Sequence, residues 1–221
     1  MNIQEMHVLF RTLGQQMGMQ KIRAILPESI DNYLNDSIVE KVRNTVLANV
    51  NTVYQDKVAM RDNFISPINA LRTLYKEAYL PVPNSINPYR VSIGDIDSMF
   101  YTSFSVDYTT KRHIKCRFVE GDKLEDTIND YCNRASWDAP IVSLFADENG
   151  KEVIHIFNGD SSKEIDKLIV RYIENPKTVV WSNDLSLAVD CNLPNYLHNE
   201  IVKMAVNKYF QSVGSTTQSV D

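Results

Sequence analysis

The residues of this chain that could do chemistry are its cysteines, its histidines and several groups of carboxylates. His113 and Cys116 lie three apart, with Cys132, His155 and Cys191 elsewhere. Structural zinc takes four such ligands in a tetrahedron. An odd separation, however, puts His113 and Cys116 on opposite faces of the strand predicted there, so they read as ordinary strand residues. Cys132 and Cys191 read as small, buried or half-buried apolar side chains. Asp31, Asp36 and Glu40 share a predicted helix and read as a solvated face. Asp160, Glu164 and Asp166 read the same way, as do Glu120, Asp122, Glu125 and Asp126. His198, near the start of the last predicted helix, is expected to make a hydrogen bond at a surface or interface. The glycines form neither GxGxxG nor GxxxxGK[ST], and no serine sits in a G-x-S-x-G elbow. No catalytic residue, cofactor or metal is expected.

The 221 residues suffice for one large domain or two small ones. A hydrophobic content of 43% supports a packed core, and charge is spread along the chain rather than massed. The net charge of −5 argues against a general nucleic-acid binder, whose affinity comes from Lys and Arg on phosphates. Phe100, Phe104 and Tyr108 share a predicted strand face of the kind that stacks bases, but they lack a basic rim and read as core. Three cysteines at wide spacing are no disulfide framework, and reduced thiols in a cytosolic setting are expected. No secretory signal is read at the N-terminus. No run approaches the roughly 18 apolar residues of a membrane span.

The elements that would position these residues follow from apolar spacing. Ile3, Met6, Phe10, Leu13 and Met17 recur at helical steps, predicting a helix over 2–20 that Gly14 and Gly18 weaken. Pro27-Glu28-Ser29 opens a second helix to about Asn51, with Ile30, Leu34, Ile38, Val42 and Val46 as its stripe and Val39 and Leu47 widening it. A third is predicted from Ser66 to Tyr79. Prolines 81, 83 and 88 then break helical texture. Phe100, Thr102, Phe104, Val106 and Tyr108 alternate as one face of a strand, and Ile114, Cys116 and Phe118 as another. A short helix is predicted over 122–133. Strands over 141–146 and 152–157 flank an Asn149-Gly150 turn, a strong hairpin signal. Strands over 167–173 and 179–181 follow, then an amphipathic helix over 194–213.

The expected fold class is α+β: N-terminal helices (1–80) bundled with the C-terminal helix (194–213), an inserted antiparallel β-rich block (81–193) and a loose tail (214–221). The first and last helices should pack together, since each has an apolar face to bury. No residue from Tyr172 to Val213 looks reactive. That stretch reads as a device for delivering a terminal helix from a β-block, as an assembly protein would need. Trp181 is a candidate interface anchor or core residue.

Three blocks carry a resemblance. Leu26-Pro27-Glu28-Ser29-Ile30-Asp31-Asn32-Tyr33-Leu34-Asn35 is similar to a helix opening, Arg171-Tyr172-Ile173-Glu174-Asn175-Pro176 to a strand end, and Cys191-Asn192-Leu193-Pro194 through His198-Asn199-Glu200-Ile201-Val202 to Val206 to a helix start. In order and spacing they resemble the adaptor or ring proteins at the head-to-tail connector of tailed bacteriophages, most closely those of crAss-like phages. Asn195 stands where an acid is usual, and Ser37 where alanine is usual.

The resemblance implies a virion structural protein, made in the host cytoplasm, with no enzymatic activity. It implies a homo-oligomeric ring, commonly of twelve copies, below the portal protein. Such a ring extends the channel for double-stranded DNA without binding it specifically, touches no membrane, and seats the next ring or tail protein. Subunit or portal contact is expected at Trp181, His198, Tyr209 and Phe210. Gly214, Ser215 and Thr216 would order on docking. Alternatives are a stopper or tail-tube terminator, or an intracellular α+β ligand-binding protein or enzyme.

Overall fold

The computed structural model describes residues 1–18, 22, 24–55, 71–83, 88–110, 112–160, 162–184 and 186–216. The chain forms two compact units, Met1–Leu74 with Pro176–Asp221, and Tyr75–Asn175. Helices and two largely antiparallel sheets make the fold α+β.

The first unit is helical. α1 (Ile3–Gln16) starts at Asn2, whose side chain accepts the Glu5 backbone N–H while Glu5 reaches back to the Asn2 N–H. Ile3, Met6 and Phe10 are fully buried, as their spacing predicts, but Met17 at the helix end is exposed. Gly14 makes room for Ile22: a Cβ there would fall 1.6 Å from the Ile22 Cδ1. Gly18, at φ +83°, takes the left-handed conformation just past the helix. α2 (Pro27–Gln55) buries Ile30, Leu34, Ile38 and Val42 as one stripe. Val39 and Leu47, expected to widen that stripe, are instead exposed, because the contact follows a narrow i, i+4 seam. α4 (Asn195–Thr216) packs on both helices through Leu197, Ile201, Val202, Ala205 and Val206, all buried.

The third expected helix fails where it can be seen. Residues 66–70 lie outside the described residues, and 75–79 belong to a strand, β1 (Tyr75–Pro81). Seven consecutive residues of β1 pair antiparallel with a later strand. The short stretch fits both periods, and that ladder decides between them.

The second unit is a two-sheet β-sandwich. Its other strands are β2 (Tyr89–Ser92), β3 (Ser98–Tyr108), β4 (His113–Lys115), β5 (Arg117–Phe118), β6 (Ile141–Ala146), β7 (Glu152–Phe157) and β8 (Ile165–Glu174). One sheet has the order β1-β8-β3-β4, the other β2-β7-β6-β5, with β5–β6 the parallel pair. Phe104, Val106, Leu168 and Val170 of the first sheet share a core with Val91, Val142, Ile154 and Ile156 of the second. A short helix, α3 (Leu124–Asn129), replaces the longer one predicted. The Asn149-Gly150 hairpin forms as expected. Gly150 takes φ +75°, and Asp147 Oδ1 accepts the N–H of Asn149 and of Lys151 at 2.8 Å each.

Two local features break the predicted alternation. At Thr102 the ladder slips: Tyr101 pairs with Tyr172 and Ser103 with Arg171, leaving Thr102 as a bulge. Its hydroxyl donates to the Arg171 carbonyl at 2.9 Å. The bulge puts Tyr101 on the face of Phe104, their rings 5.7 Å apart, and sends Phe100 to the other face. At Cys116 the chain leaves the first sheet and enters the second, so Ile114, Cys116 and Phe118 do not form one strand.

Candidate functional site

His113, Cys116, Cys132 and Cys191, read from the sequence as ordinary residues and not as ligands, lie in separate surroundings. His113 is half-exposed and bonds Asp107 at 2.8 Å. Cys116 is buried, which pushes its thiol up to about 12. Cys132 is exposed and Cys191 partly buried. Among the described residues no three His, Cys, Asp or Glu side chains are placed to hold a metal ion.

The carboxylate expectation needs one correction. Asp31, read as part of a solvated face, is only 7% exposed, whereas Asp36 is exposed and Glu40 pairs with Lys208 of α4 at 2.7 Å. Asp31 is buried because it serves two elements distant in sequence. Its Oδ1 accepts from His7 Nε2 at 2.7 Å, and its Oδ2 accepts the Trp181 backbone N–H at 2.9 Å. A carboxylate can only accept, so the His7 proton sits on Nε2. Burial holds the His7 ring below its ordinary pKa; Asp31 opposes that shift and Arg11 adds to it.

One turn along α2, Asn35 completes a clamp. Its Oδ1 accepts the Val179 N–H at 2.7 Å and its Nδ2 donates to the Val179 carbonyl at 3.1 Å. The spacing explains why this works. Four helical residues advance about 6 Å, and two extended residues about 6.6 Å. A helix carrying polar side chains at i and i+4 can therefore stand in for a neighbouring strand. On its other side the segment makes a two-bond bridge, Val180 with Val189. The short strand predicted over 179–181 exists as this bridge, held by the helix side chains.

The rest of the return segment is also tied down. Asp190 Oδ1 accepts the Ile3 N–H at 2.7 Å, meeting one of the orphan donors at the start of α1. His198 is 1% exposed and its Nε2 bonds the Leu193 carbonyl at 2.9 Å. Expected to make a hydrogen bond at a surface or interface, it makes one, but buried, where it braces its own helix start. Trp181 is half-buried and stacks on the His7 ring, centroids 5.9 Å apart. Tyr209 packs against Phe10 and edge-on to Tyr33. Phe210 is 49% exposed, as is Val213 at 46%. Gly214, Ser215 and Thr216 extend α4 beyond its predicted end, and 217–221 lie outside the described residues. His7, Asn35 and Asp190 are the members of this constellation that sequence reasoning missed. No local pattern marks them, because each partner lies far away in the chain.

The described grooves are shallow and lie on the β unit. One of about 680 Å³ is lined by Glu77, Tyr79, Asp107, His113, Lys167 and Arg171. In it Arg171 pairs with Glu77, Lys167 lies 3.8 Å from Asp166, and His113 hydrogen-bonds Asp107. A second, about 570 Å³, is lined by Tyr101, Phe104, Phe118 and Cys116, with Tyr101 donating to Glu152 at its rim.

No protein-family model matches the chain, and no curated protein matches it. Among the described residues no helix is long and apolar enough to cross a membrane.

The two units differ in charge. Residues 75–175 hold 17 Asp and Glu against 12 Lys and Arg, while the remainder holds 11 of each. The whole net charge of −5 therefore belongs to the β unit.

Proposed function

We propose that this chain is a non-enzymatic structural protein of a phage neck. It forms a homo-oligomeric ring below the portal, extends the DNA channel, and seats the next ring or tail protein. The observation that carries this reading is the seating of α4. It packs into the helical unit against α1 and α2, yet leaves Phe210 exposed toward its end. Large exposed apolar side chains near one helix end suit a contact with another chain.

Two further features support it. The three resembling blocks fall at structural joints. Leu26–Asn35 opens α2 and carries both clamp residues, Arg171–Pro176 ends β8, and Cys191–Val206 begins α4. These are the places where the chain leaves the β unit and is bound back into helices. The charge partition also fits passage of DNA. An acidic β unit repels phosphates and does not hold them, while a neutral helical unit packs against its copies without self-repulsion.

Native mass spectrometry of the purified protein, alone and with portal, tests the reading. Ring-sized species, or capture by the portal, are expected. A strict monomer indifferent to portal and missing from virions contradicts it.

A further inference from the structure

The neck reading makes no use of His7, buried beside Asp31 and Trp181. His7 is 4% exposed and Asp31 7%, inside a helical unit whose other fully buried side chains are largely aliphatic. Three elements meet at this point: α1 supplies the imidazole, α2 the carboxylate, and the return segment a backbone N–H and an indole face. The charged groups acting on the ring are Asp31 from α2 and Arg11 from α1 itself. None from α4 or the return segment acts on it among the described residues. We propose that His7 is an acid-sensitive catch for the return segment: protonation of the ring expels it from its seat between Asp31 and Trp181, and residues 179–181 loosen while the helices stay formed.

The physical sequence is short. The neutral ring donates one hydrogen bond to Asp31 and stacks on Trp181. A second proton would place a full charge in a site closed to water, four residues from Arg11 on the same helix. Asp31 offsets part of that cost, but desolvation is the larger effect, so the ring's affinity for the proton falls on burial. The sign follows. A buried group held below its ordinary pKa of 6.5 supports the closed state above that pH and opposes it as pH falls below. When the ring leaves, Trp181 loses its stacking partner and Asp31 loses one of its two donors. Asp31 Oδ2 on the Trp181 N–H and Asn35 on Val179 are then the helix side's remaining holds on the segment, without the imidazole to fix the carboxylate.

The chain has two tryptophans, so the full-length W137F protein makes Trp181 the sole reporter. Its emission is followed from pH ~8 to ~5, with far-UV circular dichroism alongside. The expected result is a reversible red shift of Trp181 emission below pH 6.5 with helix content unchanged. H7Q keeps a donor in reach of Asp31 but cannot titrate, and should abolish the shift. Should H7Q fold poorly, NMR titration of the His7 ring in the W137F protein serves instead, with a midpoint below 6.5 that coincides with the emission change. Flat Trp181 emission across this range overturns the proposal. So does a shift that persists in H7Q, or a His7 midpoint above 6.5.

Discussion

Asp31 on α2 accepts the backbone N–H of Trp181 at 2.9 Å across 150 residues of sequence. With Asn35 one turn away, it gives an extended segment the hydrogen bonds that a strand would normally supply. The helical unit is thereby closed by its own far end. This is the local geometry an assembly protein needs if α4 is to be presented in a fixed pose.

Removing either half of the clamp should show its worth. N35A leaves the buried Val179 N–H and carbonyl without that partner, and D31A does the same to Trp181 N–H and His7. Each should lower the unfolding free energy by about 1–3 kcal/mol. Urea denaturation in the W137F background, followed at Trp181, measures it. A change under about 0.5 kcal/mol would mean that the clamp is ornamental.

Two glycines with similar backbones should respond differently to alanine. Gly150 and Gly159 have φ of +75° and +68°. A Cβ at Gly150 meets nothing within 4 Å, whereas at Gly159 it would fall 2.1 Å from the Ala135 carbonyl oxygen. G150A should cost about 1 kcal/mol, the left-handed strain alone. G159A should cost about 3 kcal/mol or fail to fold, since backbone must move. Equal melting temperatures for the two variants would contradict this assignment.

How much of this was legible in the sequence depends on where the deciding contacts lie. Ile30, Leu34, Ile38 and Val42 buried themselves as their spacing said, because a helical face is set by neighbours within a turn or two. Thr102 was illegible: Phe100, Thr102 and Phe104 alternate without a break, and only the slipped ladder against β8 reveals the bulge. Tyr75 read as helix because the pairing that makes it a strand is with Ile173. Asp31 read as solvated because its partners are His7 and Trp181. The same limit hid the clamp, whose residues look like ordinary polar positions on a helix.

The thiols should separate cleanly by reactivity. The thiolate is the reacting form, and burial holds Cys116 up at about 12, while Cys132 is exposed. Alkylation of the native protein at neutral pH should modify Cys132 first and leave Cys116 untouched until unfolding. C132S should remove the fast phase. Peptide mapping that finds Cys116 labelled as quickly as Cys132 would contradict the buried corner between the two sheets.

Phe210 should matter to assembly and hardly at all to folding. It is half-exposed on α4, whereas Tyr209 beside it packs on Phe10 and Tyr33. F210D should change stability by no more than about 0.5 kcal/mol while dispersing any oligomer. Y209A should do the reverse and destabilise the monomer by about 3 kcal/mol. Melting curves and light scattering on both variants distinguish the roles. An F210D protein that assembles as the parent does would remove this residue from the contact.

The proposed ring would repeat one contact around a circle. Native mass spectrometry with the cognate portal measures this directly. A closed set of copies bound to the portal, lost in F210D, is expected. A protein that stays monomeric and unbound at every concentration, with or without portal, would contradict it.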